Sequence, residues 1–187
     1  MVSIELITEP ALDWVSGSDL LDLIAPVQVF FAEGKPLPEQ YFPDGLKVHL
    51  YESAFEMLDL LGNIINAVAA GDERRPNAIF QGEFCYTGTF FNAQVIDQDT
   101  IRVSLQFNPA EVDDETLLGG NVYREDVSMQ SFATELLTFA ISTYETIIEF
   151  NQGFEGELCE FQDAIESYQN RLETEFNIVL SVPDEAT

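Results

Sequence analysis

Two periodicities and a composition predict an α+β fold. Apolar residues alternate at a spacing of two near the N-terminus and again through residues 78–107, the pattern of half-buried strands. They recur every three or four residues after residue 52 and through 129–177, the pattern of helices with one apolar stripe. A 46% hydrophobic share with 15 Phe is ample material for a core, and 187 residues is the size of one domain. The expected architecture is a single α+β domain over 1–187. It is a mainly antiparallel sheet, a three-stranded meander plus N-terminal strands, with helices packed on one face and two C-terminal antiparallel helices. Its segments are 1–52 (N-terminal strands and a short helix), 53–71 (a helix), 78–107 (the meander) and 129–177 (a helical hairpin).

Each element has its own signal. Val2, Ile4 and Leu6 alternate with Ser3 and Glu5, a short strand. Ser18 is placed to cap a short helix from Asp19 to Ile24, with Pro26 ending it. Val27, Val29 and Phe31 alternate again, and the Pro-rich run 35–45 is a loop. Leu46, Val48 and Leu50 alternate with Lys47, His49 and Tyr51, a further strand. Ser53 and Glu56 then match a capping box, in which the hydroxyl takes the N3 amide and the carboxylate reaches back to the cap. The helix they open presents Phe55, Leu58, Leu61, Ile65 and Val68, and Gly71 stops it. Gly62 in its middle sacrifices about 1 kcal/mol of helix propensity, which points to close packing there.

Strands follow at 78–86, 89–96 and 101–107, with Gly88 at a turn or bulge and Asp97-Gln98-Asp99 at a hairpin. Residues 108–120 form an acidic loop, and Val122 to Val127 offers one more strand. Phe132, Leu136, Phe139, Thr143, Ile147 and Phe150 mark a helix broken by Gly153 and Gly156. Leu158, Phe161, Ile165, Tyr168, Leu172 and Phe176 mark the next.

Charge sets the function classes. The chain carries 34 Asp+Glu against 7 Lys+Arg, a net charge of −27, whereas about 2–8 units suffice for a small soluble domain. Acids are spread through all four quarters, so the acidity belongs to a folded surface and not to a tail. Self-repulsion of that size destabilises the compact state, and a cationic partner is the first candidate for compensation. Nucleic acid and anionic membrane, being polyanions, are not expected as direct ligands. No apolar run reaches the roughly 18 residues of a membrane span. MVSIELITEP has no basic stretch followed by an apolar one, so a signal peptide is not expected. The expectation is a cytoplasmic protein with two reduced thiols, Cys85 and Cys159.

The sharpest local pattern is the row Glu157, Glu160, Asp163, Glu166 and Glu173, opposite the apolar stripe of the last helix. Like charges three and four apart repel by a few tenths of a kcal/mol per pair, and only Arg171 is at hand to relieve them. The plain alternative is a solvated helix face. These five acids, with Asp113, Asp114 and Glu115 of the acidic loop, are the candidate partner-binding residues.

Catalytic signals are few. A Ser-His-Asp or Cys-His arrangement must pass through His49, the one histidine, which stands at an outward strand position and reads as a surface or structural residue. Acids near both cysteines raise a thiol pKa and do not activate it. One His and two distant Cys make no zinc motif, and neither Asp97–Asp99 nor Asp113–Glu115 has the spacing of a calcium loop. Neither a Walker loop nor a dinucleotide fingerprint is present. A glycosidase-type carboxylate pair is the one enzyme class the residue types leave open. No catalytic residue, metal or cofactor is therefore expected.

The leading expectation is an acidic, non-enzymatic inhibitor or immunity-type protein that neutralises a basic partner, a nuclease toxin or another nucleic-acid-binding enzyme. A DNA mimic of the anti-restriction type is the second reading. The third is an enzyme or scaffold protein from a salt-adapted organism, whose acidity has no functional meaning. Near-absence of Lys fits salt adaptation, while 21 Glu against 13 Asp and a bulky Phe-rich core do not.

Overall fold

The computed structural model describes residues 3–6, 19–31, 35–36, 46–70, 79–85, 87–107 and 123–179. Eight strands and three α-helices appear among them. Strands β1 (Ser3–Leu6), β2 (Ile24–Phe31), β3 (Lys35–Pro36) and β4 (Leu46–His49) form sheet A. Strands β5 (Ile79–Phe84), β6 (Thr89–Val95), β7 (Thr100–Phe107) and β8 (Tyr123–Ser128) form sheet B, in that order. Helices are α1 (Leu50–Ala69), α2 (Met129–Phe150) and α3 (Cys159–Phe176). The α+β class holds, and every strand pair is antiparallel.

The strands divide into two sheets. In sheet A, β2 is the centre: Val27 pairs with Leu6 on one side and with Leu46 on the other. Phe30 pairs with both Ser3 and Pro36, so β3 and β4 lie end to end along the same side of β2. Sheet B extends the expected meander by one strand, β8, because Ile101 to Leu105 find cross-strand partners in Val127 to Tyr123. The turn 97–99 is a hairpin in which Asp97 Oδ1 accepts from the Asp99 amide at 2.9 Å. Gly88 supplies a φ of 61° between β5 and β6, a conformation that favours glycine.

Two local readings need correction. The helix expected over 19–24 is a single 3-10 turn, Leu20–Asp22, capped by Asp19, whose Oδ1 accepts from the Leu21 amide at 3.1 Å. Pro26 does not end it; Pro26 sits inside β2, opposite Lys47. The Leu50 amide bonds the Leu23 carbonyl at 2.8 Å, so residues 23, 25 and 27 direct their backbone polar groups to β4. Pro26 faces the β1 side, one residue past the last described β1 pair, so its missing amide interrupts no described bond to β4. Ser18, the expected cap, lies outside the described residues, as do the 37–45 part of the Pro-rich loop, Gly71 and the 108–120 loop.

The second correction concerns α1. It starts at Leu50, three residues before the expected capping box, with His49 as its N-cap. Ser53 is fully buried inside the helix, and its Oγ accepts from the Cys85 amide at 2.9 Å. The hydroxyl ties α1 to the end of β5 and caps nothing. Eleven of the helix's 20 residues are buried, an arc of about 200° at 100° per residue, far wider than the stripe of a surface helix. The width follows from its neighbours, since α1 packs on β5 and β6, on α2 and on α3.

α2 is capped by Ser128, whose Oγ accepts from the Ser131 amide at 3.0 Å, and buries Phe132, Leu136, Phe139, Thr143 and Ile147 as expected. Phe150, expected on that stripe, is exposed at the helix end. α2 packs on β7 and β8 and on β1, joining the two sheets, and α3 lies on α1 and α2. One continuous core runs from Ile4, Val27 and Val29 through Leu61 and Phe91 to Phe161 and Leu172. Among the described residues, no helix is long and apolar enough to cross a membrane.

Candidate functional site

The fastening of α3 fixes where its charges point. Phe161 is fully buried and meets two rings of α1: Tyr51 edge-on at 5.5 Å and Phe55 stacked at 6.1 Å. One helical turn further on, Ile165 is buried, and beyond it Leu172. Tyr168 lies over Gly62, where an added methyl group would stand 2.7 Å from its Cζ. The glycine in α1 thus permits a close approach of Tyr168 from α3, as its propensity penalty suggested. Asn177 ends α3 in the left-handed conformation, φ 55°, and the Ile178 amide bonds back to Leu172.

With the apolar stripe so held, Glu160, Asp163, Glu166 and Glu173 all face solvent. Glu157 is exposed too, but it lies in the turn before α3 and not on the helix. Asp113, Asp114 and Glu115 fall outside the described residues. Arg171, expected to relieve the row, is engaged elsewhere. Its Nε and Nη2 donate to Glu175 at 2.8 and 3.1 Å, and its Nη1 donates to Asn66 Oδ1 of α1 at 2.9 Å. That pairing holds the Glu175 carboxyl below its ordinary range. Sequence reasoning missed Glu175 as the partner, although the i,i+4 spacing signals it. Of the row, only Glu166 has a described hydrogen bond, from Gln162 Nε2 at 3.1 Å; Gln162 Oε1 in turn accepts from Tyr144 of α2 at 3.2 Å.

The aromatic cluster borders the row. Tyr51 and Phe55 are half-buried, and burial together with the nearby Glu160 carboxylate pushes the Tyr51 phenol up. The ring of a neutral phenol and a carboxylate therefore share one patch between the first turns of α1 and α3.

His49 makes a structural contact. His49 Nδ1 lies 2.7 Å from the Leu21 carbonyl, which can only accept, so Nδ1 carries a proton and pins the 3-10 turn to the start of α1. Glu52 Oε2 lies 3.6 Å from the same nitrogen. Cys85 is half-buried and its thiol is pushed up to about 11, first by burial and then by Glu52, Glu56 and Glu83. Such a thiol is a poor nucleophile at neutral pH. Cys159 is exposed in the first turn of α3. Among the described residues, no three His, Cys, Asp or Glu side chains converge as a metal site.

No protein-family model, no curated protein and no solved structure matches this chain.

Proposed function

We propose that the chain is a non-enzymatic binding protein that neutralises a basic protein partner through the exposed face of α3, the partner being a cationic enzyme such as a nuclease toxin. The observation that carries this reading is the state of charge on α3. Glu160, Asp163 and Glu166 face solvent three residues apart, about 4.5 Å per step along the axis. The one cation of the helix, Arg171, is committed to Glu175 and Asn66. Repulsion along such a row is relieved when cationic side chains dock on it. Its field also steers a basic partner inward, toward association rates of about 10⁸–10⁹ M⁻¹s⁻¹ at low salt. A nuclease presents cations because it holds phosphates, so a rigid anionic face fits the groove that its substrate uses. Tyr51 and Phe55 add ring faces beside Glu160, the surroundings in which an arginine gains cation–π attraction and interface anchors concentrate.

The test is capture of basic proteins from a low-salt extract on immobilised protein, followed by elution with rising salt. Reversal of three charges, Glu160→Lys, Asp163→Lys and Glu166→Lys, is expected to weaken capture and flatten its salt dependence. All three side chains are exposed, so the fold is expected to survive. Unchanged affinity and unchanged salt dependence in the folded variant would refute the α3 face as the binding surface.

A further inference from the structure

Among the described residues, the helices that pack on sheet B lie on one face, and the register sets out what the other face carries. Ile101, Val103 and Leu105 of β7 point to α2 and are fully buried, so Arg102 and Ser104 point outward. Two adjacent outward rows cross all four strands. One runs Gln81, Asn92, Ser104, Arg124; the other runs Ile79, Gln94, Arg102, Asp126. Between them lies a shallow groove of about 30 Å³, lined by side chains of both rows. That is room for two or three water-sized atoms, the scale of a carboxylate head.

The groove is rich in donors and short of acceptors. Asn92 is 93% buried, and its Oδ1 accepts from Gln81 Nε2 at 2.9 Å. Its Nδ2 then keeps two N–H donors with no hydrogen bond among the described residues, an arrangement that favours an incoming acceptor. Gln94 and Ser104 likewise make no side-chain hydrogen bond among the described residues. Two of the chain's seven cations stand here. Arg102 is held by Asp126 through two bonds of 2.7 and 2.8 Å. Arg124 acts on Asp126 through its charge but forms no ion pair among the described residues.

We infer that this groove is a binding site for a single carboxylate, taken by Arg124 and the Asn92 amide with Ser104 and Gln94 at its sides. The valence follows from the charges present. Arg102, Arg124 and Asp126 leave one net positive charge, which matches a monoanion. A phosphate dianion would meet Asp126 and the repulsion of a −27 molecule. Ile79, 66% exposed at the end of one row, provides an apolar rim, so the ligand is a carboxylate borne on an apolar or peptide body. The site is independent of α3, which lies beyond α1 and α2 on the opposite side of sheet B.

The experiment is an NMR titration of the intact chain. It follows the Asn92 side-chain amide and the Arg124 Nε–H with three probes: butyrate, a neutral-bodied peptide with a free C-terminal carboxylate, and inorganic phosphate. Saturable shifts centred on the two rows are expected with butyrate or the peptide at millimolar concentration. The tighter of those two names the source, a small molecule or the chain end of a protein. Arg124→Gln is expected to weaken binding about fivefold, the size of one exposed ion pair. Lys47→Gln, which removes the same charge from exposed Lys47 on β4, is expected to leave it unchanged. Equal weakening by both variants, shifts with no centre on the two rows, or tighter binding of phosphate than of both carboxylates overturns the proposal.

Discussion

Gly62→Ala tests how α3 is seated, and with it the direction in which the acidic row faces. Two effects of opposite sign meet at this position. Alanine in a helix interior is worth about 1 kcal/mol over glycine, so the substitution stabilises α1 by itself. The new methyl group, however, would lie 2.7 Å from Tyr168 Cζ and 3.0 Å from Cε1, well inside van der Waals contact. Overpacking of this kind costs about 1–3 kcal/mol, because a rigid ring must rotate or α3 must lift. The net expectation is destabilisation of about 1 kcal/mol in urea unfolding. Truncating Tyr168 to Ala removes the obstacle, and in that background Gly62→Ala is expected to stabilise by about 1 kcal/mol. The sign reversal is a coupling of about 2 kcal/mol between two residues far apart in sequence. Stabilisation by the same amount in both backgrounds would refute the close seating of α3 on α1.

Ser53→Ala leaves the Cys85 amide without its acceptor and is expected to cost about 1–2 kcal/mol, whereas Glu56→Ala, at an exposed position, is expected to change stability by less than about 0.5 kcal/mol. Similar losses from both, measured by chemical denaturation, would restore the capping-box reading. Arg102 holds the Asp126 carboxyl below its ordinary range, so the pair contributes stability above the unfolded carboxyl pKa and loses it as pH falls through the folded one. Arg102→Ala is expected to return Asp126 to the ordinary aspartate range in an NMR titration and to remove that contribution; an unmoved Asp126 would contradict the geometry. Thiol titration at pH 8 is expected to show a fast phase from exposed Cys159 and a slow one from Cys85, whose thiol sits near 11. Cys159→Ser should abolish the fast phase alone; a fast Cys85 would contradict its burial and the influence of the nearby carboxylates Glu52, Glu56 and Glu83.

What the sequence made legible was what depends on local period. Strands β5 to β7 were readable because Phe84, Ala93, Val103 and Leu105 alternate with polar neighbours and the turns carry Gly88 and Asp97. The exposure of Glu160, Asp163 and Glu166 was readable because the buried stripe of Phe161, Ile165 and Leu172 fixes the opposite face. The start of α1 was not readable. Leu46, Val48 and Leu50 continue one alternation through a change of structure, and Ser53 with Glu56 imitates a cap four residues too late. Pro26 misled because its tolerance in β2 depends on its backbone facing away from β4, a pairing no local window contains. The division into two sheets and the donor rows of sheet B depend on register between distant segments. Arg124 meets Asn92 in one groove only once three strands are aligned.

The junction at His49 and Leu50 has a mechanical consequence. No residue separates β4 from α1: the strand ends at His49, the helix starts at Leu50, and the Leu50 amide is already bonded to Leu23 beside β2. A connection of zero length cannot act as a hinge. Opening β4 strips the first turn of α1, which carries Tyr51 and is followed one turn on by Phe55, the rings against which Phe161 rests. Sheet A and α3, which share no strand pairing, are therefore expected to lose protection from hydrogen exchange together, at one common free energy, with the Leu50 amide as the reporter.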